Sequence, residues 1–373
     1  MKGGATNPNN VANNNQMILY FMLSIGFIIV FTILAYIVGK MRLDSKNCSN
    51  MNVLYKNFPY LSTISVNNET FKHNLRDYYI KSAYNCCAGG NFKNDFVNVC
   101  ALKNCIKQGA RCLDFEIYSV NDNPVVAVSS VDDFNIKETY NSVPFDDAMD
   151  VISNYAFSGS TCPNPGDPLI IHLRIMSKNK PIYNKIANIL YNTLESKLLG
   201  KEYSYEYNGH NLGQLPLINF MGKIILIVDK SNSLFENTEL DEYVNLASNA
   251  MYMRTTRFND VVYSPDMNEL IFFNKKGMTF CTPDLSESPT NPSPAIGFQY
   301  GCQMQGMSYQ NFDTNLELYN QKFDDNGSAF ILKPEHLRYI PVTIPIPDPP
   351  PLAHSYKPRG IKLPSGIPNN FSI

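Results

Sequence analysis

Residues 17–39 form an uncharged, almost wholly apolar run, long enough at about 1.5 Å per residue to cross a hydrocarbon core of about 30 Å as a helix. The run predicts a single transmembrane helix, from Met17 to Gly39. A polar, Asn-rich arm over residues 1–16 precedes it, and Lys40, Arg42 and Lys46 follow it. A cleaved signal peptide would instead carry a shorter apolar core close to a basic start. The basic flank outweighs Lys2, so the positive-inside rule places the C-terminal bulk on the cytoplasmic side. Residues 40–60 are polar and read as a stalk, with the folded domain beginning near Leu61.

Beyond the stalk, apolar strand-like runs alternate with amphipathic stretches. Residues 110–118, 125–128, 169–175 and 224–228 are short, rich in β-branched residues and apolar on both faces, the pattern of buried parallel strands. Residues 145–156 and 183–199 carry apolar positions at helical spacing, with Asp146 and Asp147 near the start of the first, where a helix N-terminus favours carboxylates. Alternating β and α units over residues 61–339 predict an α/β fold, a (β/α) barrel of the TIM type. Residues 340–373 differ in kind. Their run Ile340-Pro-Val-Thr-Ile-Pro-Ile-Pro-Asp-Pro-Pro-Pro351 removes backbone donors and holds the chain extended, which predicts a polyproline-like arm. Apolar residues punctuate that arm, which suits a segment laid along a protein partner.

Composition narrows the function classes. Hydrophobic residues make up 44% of the 373 residues, ample for one large core. The net charge is −2, from 31 basic and 33 acidic residues, so no electrostatic footprint for nucleic acid is present. Abundant Asn and the absence of Trp are typical of AT-rich genomes, which include some protists and many large DNA viruses. The nine cysteines are odd in number, lack a paired Cys-x-x-Cys, and sit in a chain that needs no staples. They predict neither a zinc site nor a disulfide framework, but a reduced cytoplasmic domain. Sequons at Asn47, Asn68, Asn326 and Asn370 leave the opposite topology open, though such triplets are expected by chance in an Asn-rich chain.

Two pairs of motifs carry a family resemblance. Tyr78-Tyr-Ile-Lys-Ser-Ala-Tyr-Asn85 and Gly109-Ala-Arg-Cys-Leu-Asp-Phe-Glu-Ile-Tyr118 resemble the X region of phosphoinositide-specific phospholipase C. There the corresponding segments read roughly Tyr-Phe-Ile-x-Ser-Ser-His-Asn-Thr-Tyr and Gly-Cys-Arg-Cys-Val-Glu-Leu-Asp-Cys-Trp. Gly301-Cys-Gln-Met-Gln-Gly-Met-Ser-Tyr-Gln310 and Asn326-Gly-Ser-Ala-Phe-Ile-Leu-Lys-Pro-Glu-His-Leu-Arg338 are similar to the same family's Y region. The resemblance implies an X-like part over about 72–230, a Y-like part over about 244–339 and a nearly absent linker, at most residues 231–243. It also implies that cysteines flanking the strand carboxylates are buried free thiols.

The resemblance further implies a phosphodiesterase site built from two histidines and a calcium ion held by Asn and carboxylates. This chain departs from it at most of those positions. Tyr84 stands where the first histidine belongs, and a phenol with an ordinary pKa of about 10 is a poor base near neutrality. Val128, or Ser129 with a shifted gap, stands in place of the second. Asn85, Asp114 and Glu116 match metal ligands, the two carboxylates sharing one strand face at i, i+2 spacing, but Arg174 aligns with the fourth ligand. An internal salt bridge is expected there in place of the ion. His172 is read as a packed strand residue on the other face. The substrate lysines are replaced by Ile227 and Asp229, and Arg254 or Arg257 is the candidate for a headgroup-binding arginine.

The reading that follows is a membrane-anchored pseudoenzyme without cofactor, serving as a structural or interaction protein on an intracellular or viral membrane. Its alternatives are a divergent, calcium-dependent phosphodiesterase acting on phosphoinositides, and a lipid-headgroup binding module without turnover.

Overall fold

The computed structural model describes residues 8–341 together with Asp348 and His354, with side chains from Gln16 onward; the rest of the Pro-rich arm lies outside the described residues. Its strands, in chain order, are β1 (Tyr78–Ala83), β2 (Cys112–Val120), β3 (Asn123–Ala127), β4 (Val143–Pro144), β5 (Leu169–Ile175), β6 (Ile224–Asp229), β7 (Leu246–Ser248), β8 (Met253–Arg257), β9 (Met278–Thr282), β10 (Met304–Met307) and β11 (Phe330–Leu332). Eight of them pair in the order β7-β6-β5-β2-β1-β10-β9-β8, each ladder parallel. Only a single antiparallel bridge, Ala250 to Met253, joins β7 to β8. The result is a nearly closed parallel barrel.

Helices cover the outside, as short parallel strands require. The chain's helices are α1 (Pro8–Met41), α2 (Leu43–Leu54), α3 (Val99–Lys107), α4 (Phe145–Tyr155), α5 (Pro181–Leu194), α6 (Ser204–Asn208), α7 (Phe258–Val262), α8 (Met267–Lys276), α9 (Pro294–Gln299) and α10 (Thr314–Asn326). Of these, α6 is a left-handed turn, with φ near +50° from Tyr205 to Asn208. In α4 and α5 the residues at helical spacing, Phe145, Met149 and Ile152, then Ile182, Ile186 and Leu190, are fully buried. Each such side chain contributes about 1.5–3 kcal/mol by leaving water.

Two expectations need correction here. The run 125–128 is not a barrel strand: β3 lies antiparallel to β2. The turn Val120-Asn-Asp-Asn123 has positive φ at Asn121 and Asp122, the backbone of a two-residue hairpin that Asn and Asp tolerate. The expected polar stalk is also a packed element. Met51 and Tyr55 are buried in the core, and the Tyr55 hydroxyl donates to the Tyr309 carbonyl at 2.6 Å. Polar residues expected to face solvent instead tie α2 to the barrel. Asn98 Nδ2 donates to Asp44 at 3.1 Å, Asn104 Nδ2 to Asn52 at 2.8 Å and Asn47 Nδ2 to Asp95 at 2.9 Å.

Covalent chemistry joins the same two helices. Cys48 on α2 and Cys100 on α3 form a disulfide, while Cys86, Cys87, Cys105, Cys112, Cys162, Cys281 and Cys302 are buried thiols. The bond corrects the expectation of a wholly reduced chain. Bonds of this kind persist in oxidising compartments.

Among the described residues, Gln16–Met41 is one helix long and apolar enough to cross a membrane. Its side chains, Phe27 and Phe31 among them, are exposed all round.

Candidate active site

The C-terminal ends of β1, β2 and β5 bring Asn85, Asp114, Glu116, His172 and Arg174 together. In β2, Asp114 and Glu116 point to one side of the strand, and the parallel register sets Asp114 opposite His172 and Glu116 opposite Arg174 on β5. Asn85 follows β1 with φ at +48°, a conformation Asn accepts more readily than most residues. That bend turns its side chain inward.

Arg174 is the centre of the cluster. Its Nε donates to Asp114 Oδ1 at 3.0 Å and its Nη2 to Asp114 Oδ2 at 2.8 Å. Nη1 donates to Glu116 Oε1 at 2.7 Å, and Nη2 also reaches Asn85 Oδ1 at 2.7 Å. All four side chains are buried. The guanidinium thus holds three residues that the sequence matched to a calcium shell.

The carboxylates have no free lone pairs left. Asp114 also accepts from His172 Nδ1 at 2.7 Å and from the Asn85 backbone at 3.2 Å. Glu116 also accepts from Asn85 Nδ2 at 3.4 Å, the Tyr118 hydroxyl at 3.0 Å and the Ser129 backbone at 3.0 Å. A carboxylate offers about four acceptor positions, and here each is taken. Calcium requires six to eight oxygens at about 2.3–2.6 Å, so this donor set, with a cation already among it, does not fit the ion. Burial alone would raise the Asp114 pKa, but the Arg174 charge and the His172 hydrogen bond hold its carboxyl well below the usual range. Burial opposes the Arg174 charge, yet Asp114, Tyr84 and Glu116 lift its pKa well above the ordinary value.

His172 is part of this network, which corrects its assignment to the other face. Positions 172 and 174 are i, i+2 on one strand and share a face. Its Nδ1 lies 2.7 Å from Asp114 Oδ1, and its Nε2 is hydrogen-bonded with the Ser248 hydroxyl at 2.8 Å. The chain Asp114–His172–Ser248 has the connectivity of a hydrolase triad. All three side chains are fully buried, however, and none lines the pocket at the barrel mouth. It is an internal hydrogen-bond chain packed against Phe280.

Tyr84 closes the centre of the barrel. Its ring centroid lies 4.7 Å from the Arg174 guanidinium carbon, within cation–π range, and packs edge-on against Phe92. Gly306 makes room for it: a Cβ there would come within 3.0 Å of Tyr84 Cβ and 3.1 Å of the Phe280 ring. Burial raises the phenol's pKa, moving it further from use as a base. Val128 is fully buried, and Ser129 spends its hydroxyl on Glu138 at 3.3 Å.

Arg257, not Arg254, faces the mouth. Arg254 pairs with Glu269 on α8 at 2.7 and 3.0 Å and stacks on Phe273, on the outside of the barrel. Arg257 donates to the Tyr84 hydroxyl at 3.1 Å, the Pro283 carbonyl at 2.9 Å and Asp132 at 2.5 Å. The sequence alone did not separate the two, since no flanking motif sets the register. Ile227 is fully buried, and Asp229 accepts from the Ser231 backbone and Asn249, each at 2.9 Å. The mouth pocket, about 360 Å³, is lined by Arg174 and Arg257 but also by Asp132, Asp229 and Asp260. With Asp114 and Glu116 beneath, five carboxylates face two guanidiniums.

Residues 71–231 match the family model "Phosphatidylinositol-specific phospholipase C, X domain", and residues 225–336 match that of the Y domain. The chain belongs to the phosphatidylinositol-specific phospholipase C family. Among curated proteins, 1-phosphatidylinositol 4,5-bisphosphate phosphodiesterase zeta-1 of Homo sapiens is 36% identical over 74 residues, which cover 19% of this chain and 12% of that protein. The Macaca fascicularis protein of the same name is 37% identical over 73 residues, 19% of this chain and 11% of its own length. Among solved structures, PLC21 of L. pealei and of S. officinalis each have a TM-score of 0.59, at 18% and 19% identity. Both matches cover 72% of this chain and 38% of theirs. At that identity they show the fold alone.

Proposed function

We propose that this chain is a membrane-anchored, catalytically silent phospholipase C-like barrel that serves as a structural or interaction protein on an intracellular or viral membrane. The observation that carries the reading is the Arg174 guanidinium bonded to Asn85, Asp114 and Glu116. A cation fixed there replaces the one the family's chemistry would recruit. Tyr84 and Val128 supply no imidazole, and each lost general acid or base is typically worth about 10² to 10⁴ in rate. The acidic mouth repels a polyphosphorylated headgroup, which disfavours the headgroup-binding alternative as well.

Anchoring rests on the exposed apolar helix Gln16–Met41 and its basic flank. The flank favours a cytoplasmic barrel, whereas the Cys48–Cys100 bond favours the opposite side; protease protection in sealed vesicles decides between them. The partner-binding role is assigned to the Pro-rich arm on its sequence. Activity is tested with the full chain in vesicles containing phosphatidylinositol 4,5-bisphosphate. Inositol phosphate release is expected to equal that of a heat-treated control, with or without calcium. Calcium-stimulated release that disappears in Asp114→Asn would overturn the proposal.

A further inference from the structure

A second pocket, of about 480 Å³, lies at the opposite end of the barrel from Arg174. Arg76 precedes β1, Tyr252 precedes β8, and Lys276 and Gly277 precede β9, so its walls are the N-terminal ends of three strands. The volume falls within the range of about 300–1,000 Å³ usual for small-molecule sites. Its walls are aromatic and cationic together: Tyr252, Phe272, Phe273 and Tyr339 with Arg76 and Lys276.

The cations are what the fold leaves unexplained. Arg76 is 4% exposed, and its Nη1 donates to the Lys276 carbonyl at 2.8 Å, but its Nε is buried without a hydrogen-bond partner. Its guanidinium carbon lies 5.5 Å from the Tyr339 ring centroid. Lys276 lies over the rings of Phe272 and Tyr339, at 4.3 and 5.7 Å. Among the described residues neither cation has a carboxylate within ion-pair distance, while the wall's own carboxylate, Glu269, is already held by Arg254. Asp77, the buried acid next to Arg76, forms no direct ion pair with it and acts on it only through space, Arg338 adds a further guanidinium nearby, and burial lowers the Lys333 pKa to about 7. Burying an unpaired guanidinium beside an open cavity is costly, and an anion in that cavity removes the cost.

We propose that this pocket binds a small amphipathic anion, with its phosphate or carboxylate group between Arg76 and Lys276 and a flat ring against Tyr252 and Phe273. The site is independent of the vestigial one, from which the barrel's length separates it. Charge-assisted hydrogen bonds hold the head, and aromatic contact holds the body.

The test is calorimetric titration of the full chain in detergent with phenyl phosphate and with inorganic phosphate. Phenyl phosphate is expected to bind about tenfold more tightly than inorganic phosphate. Lys276→Gln, at an exposed position, is expected to weaken phenyl phosphate by about tenfold, and Tyr252→Leu to erase the advantage of the ring. Arg257→Gln, at the opposite end, is expected to change neither affinity. No binding of phenyl phosphate, equal affinity for the two anions, or binding lost in Arg257→Gln but kept in Lys276→Gln would each overturn the proposal.

Discussion

Removing the Arg174 guanidinium leaves Asp114 and Glu116 buried without a cation, the situation in which breaking a buried pair costs about 3–5 kcal/mol. Arg174→Met is therefore expected to lose about that much stability at neutral pH in a denaturant titration. The loss is expected to shrink in acid. The Asp114 pKa is depressed in the folded state, so the stability it contributes is present above its unfolded value of about 4 and disappears as pH falls through the lower folded value. In the variant, burial without a cation disfavours the charged carboxylates, and stability should instead rise as they protonate. A pH-independent difference between the two chains would contradict this account of the cluster. Much of the site could be read in the sequence, because Asn85, Asp114 and Glu116 sit in quotable motifs and Arg174 falls on the same strand pattern. His172 was set on the wrong face although it shares i, i+2 spacing with Arg174, and its partner Ser248, 76 residues away, became visible only in the fold. The choice between Arg254 and Arg257 depended on register in β8, which only the barrel fixes.

At the scale of elements, α2 shows how a polar segment can be structural. Its Asp44, Asn47 and Asn52 are bonded to barrel residues and its Met51 is buried, so polarity here marks partners rather than solvent. Composition could not reveal that, since each partner lies about 50 residues away in sequence. The Cys48–Cys100 bond gives a direct count. Alkylation of the unfolded, unreduced chain is expected to modify the seven thiols that are free, and alkylation after reduction all nine cysteines, measured by mass. Nine modified cysteines before reduction would show that α2 is held by hydrogen bonds and packing alone. Cys48→Ser is expected to cost about 2–4 kcal/mol in a denaturant titration. The hairpin of β2 and β3 was missed: Asn121-Asp122 is a turn signal, but the apolar run after it resembled the parallel strands, and both kinds are buried here.

For the molecule as a whole, barrel and family were the most legible features. Short apolar strands at βα spacing and motifs in family order at both ends of residues 71–336 constrain topology far more than they constrain chemistry. On this scaffold a few side chains at the strand ends, Arg174 first among them, decide what the site can hold. The central claim is that Arg174 stands where an ion would otherwise be held, and a calorimetric calcium titration of the full chain tests it most directly. No saturable binding is expected up to about 1 mM calcium, a range that covers most protein calcium sites, with the same heats from Asp114→Asn. One stoichiometric site that Asp114→Asn abolishes would contradict the account.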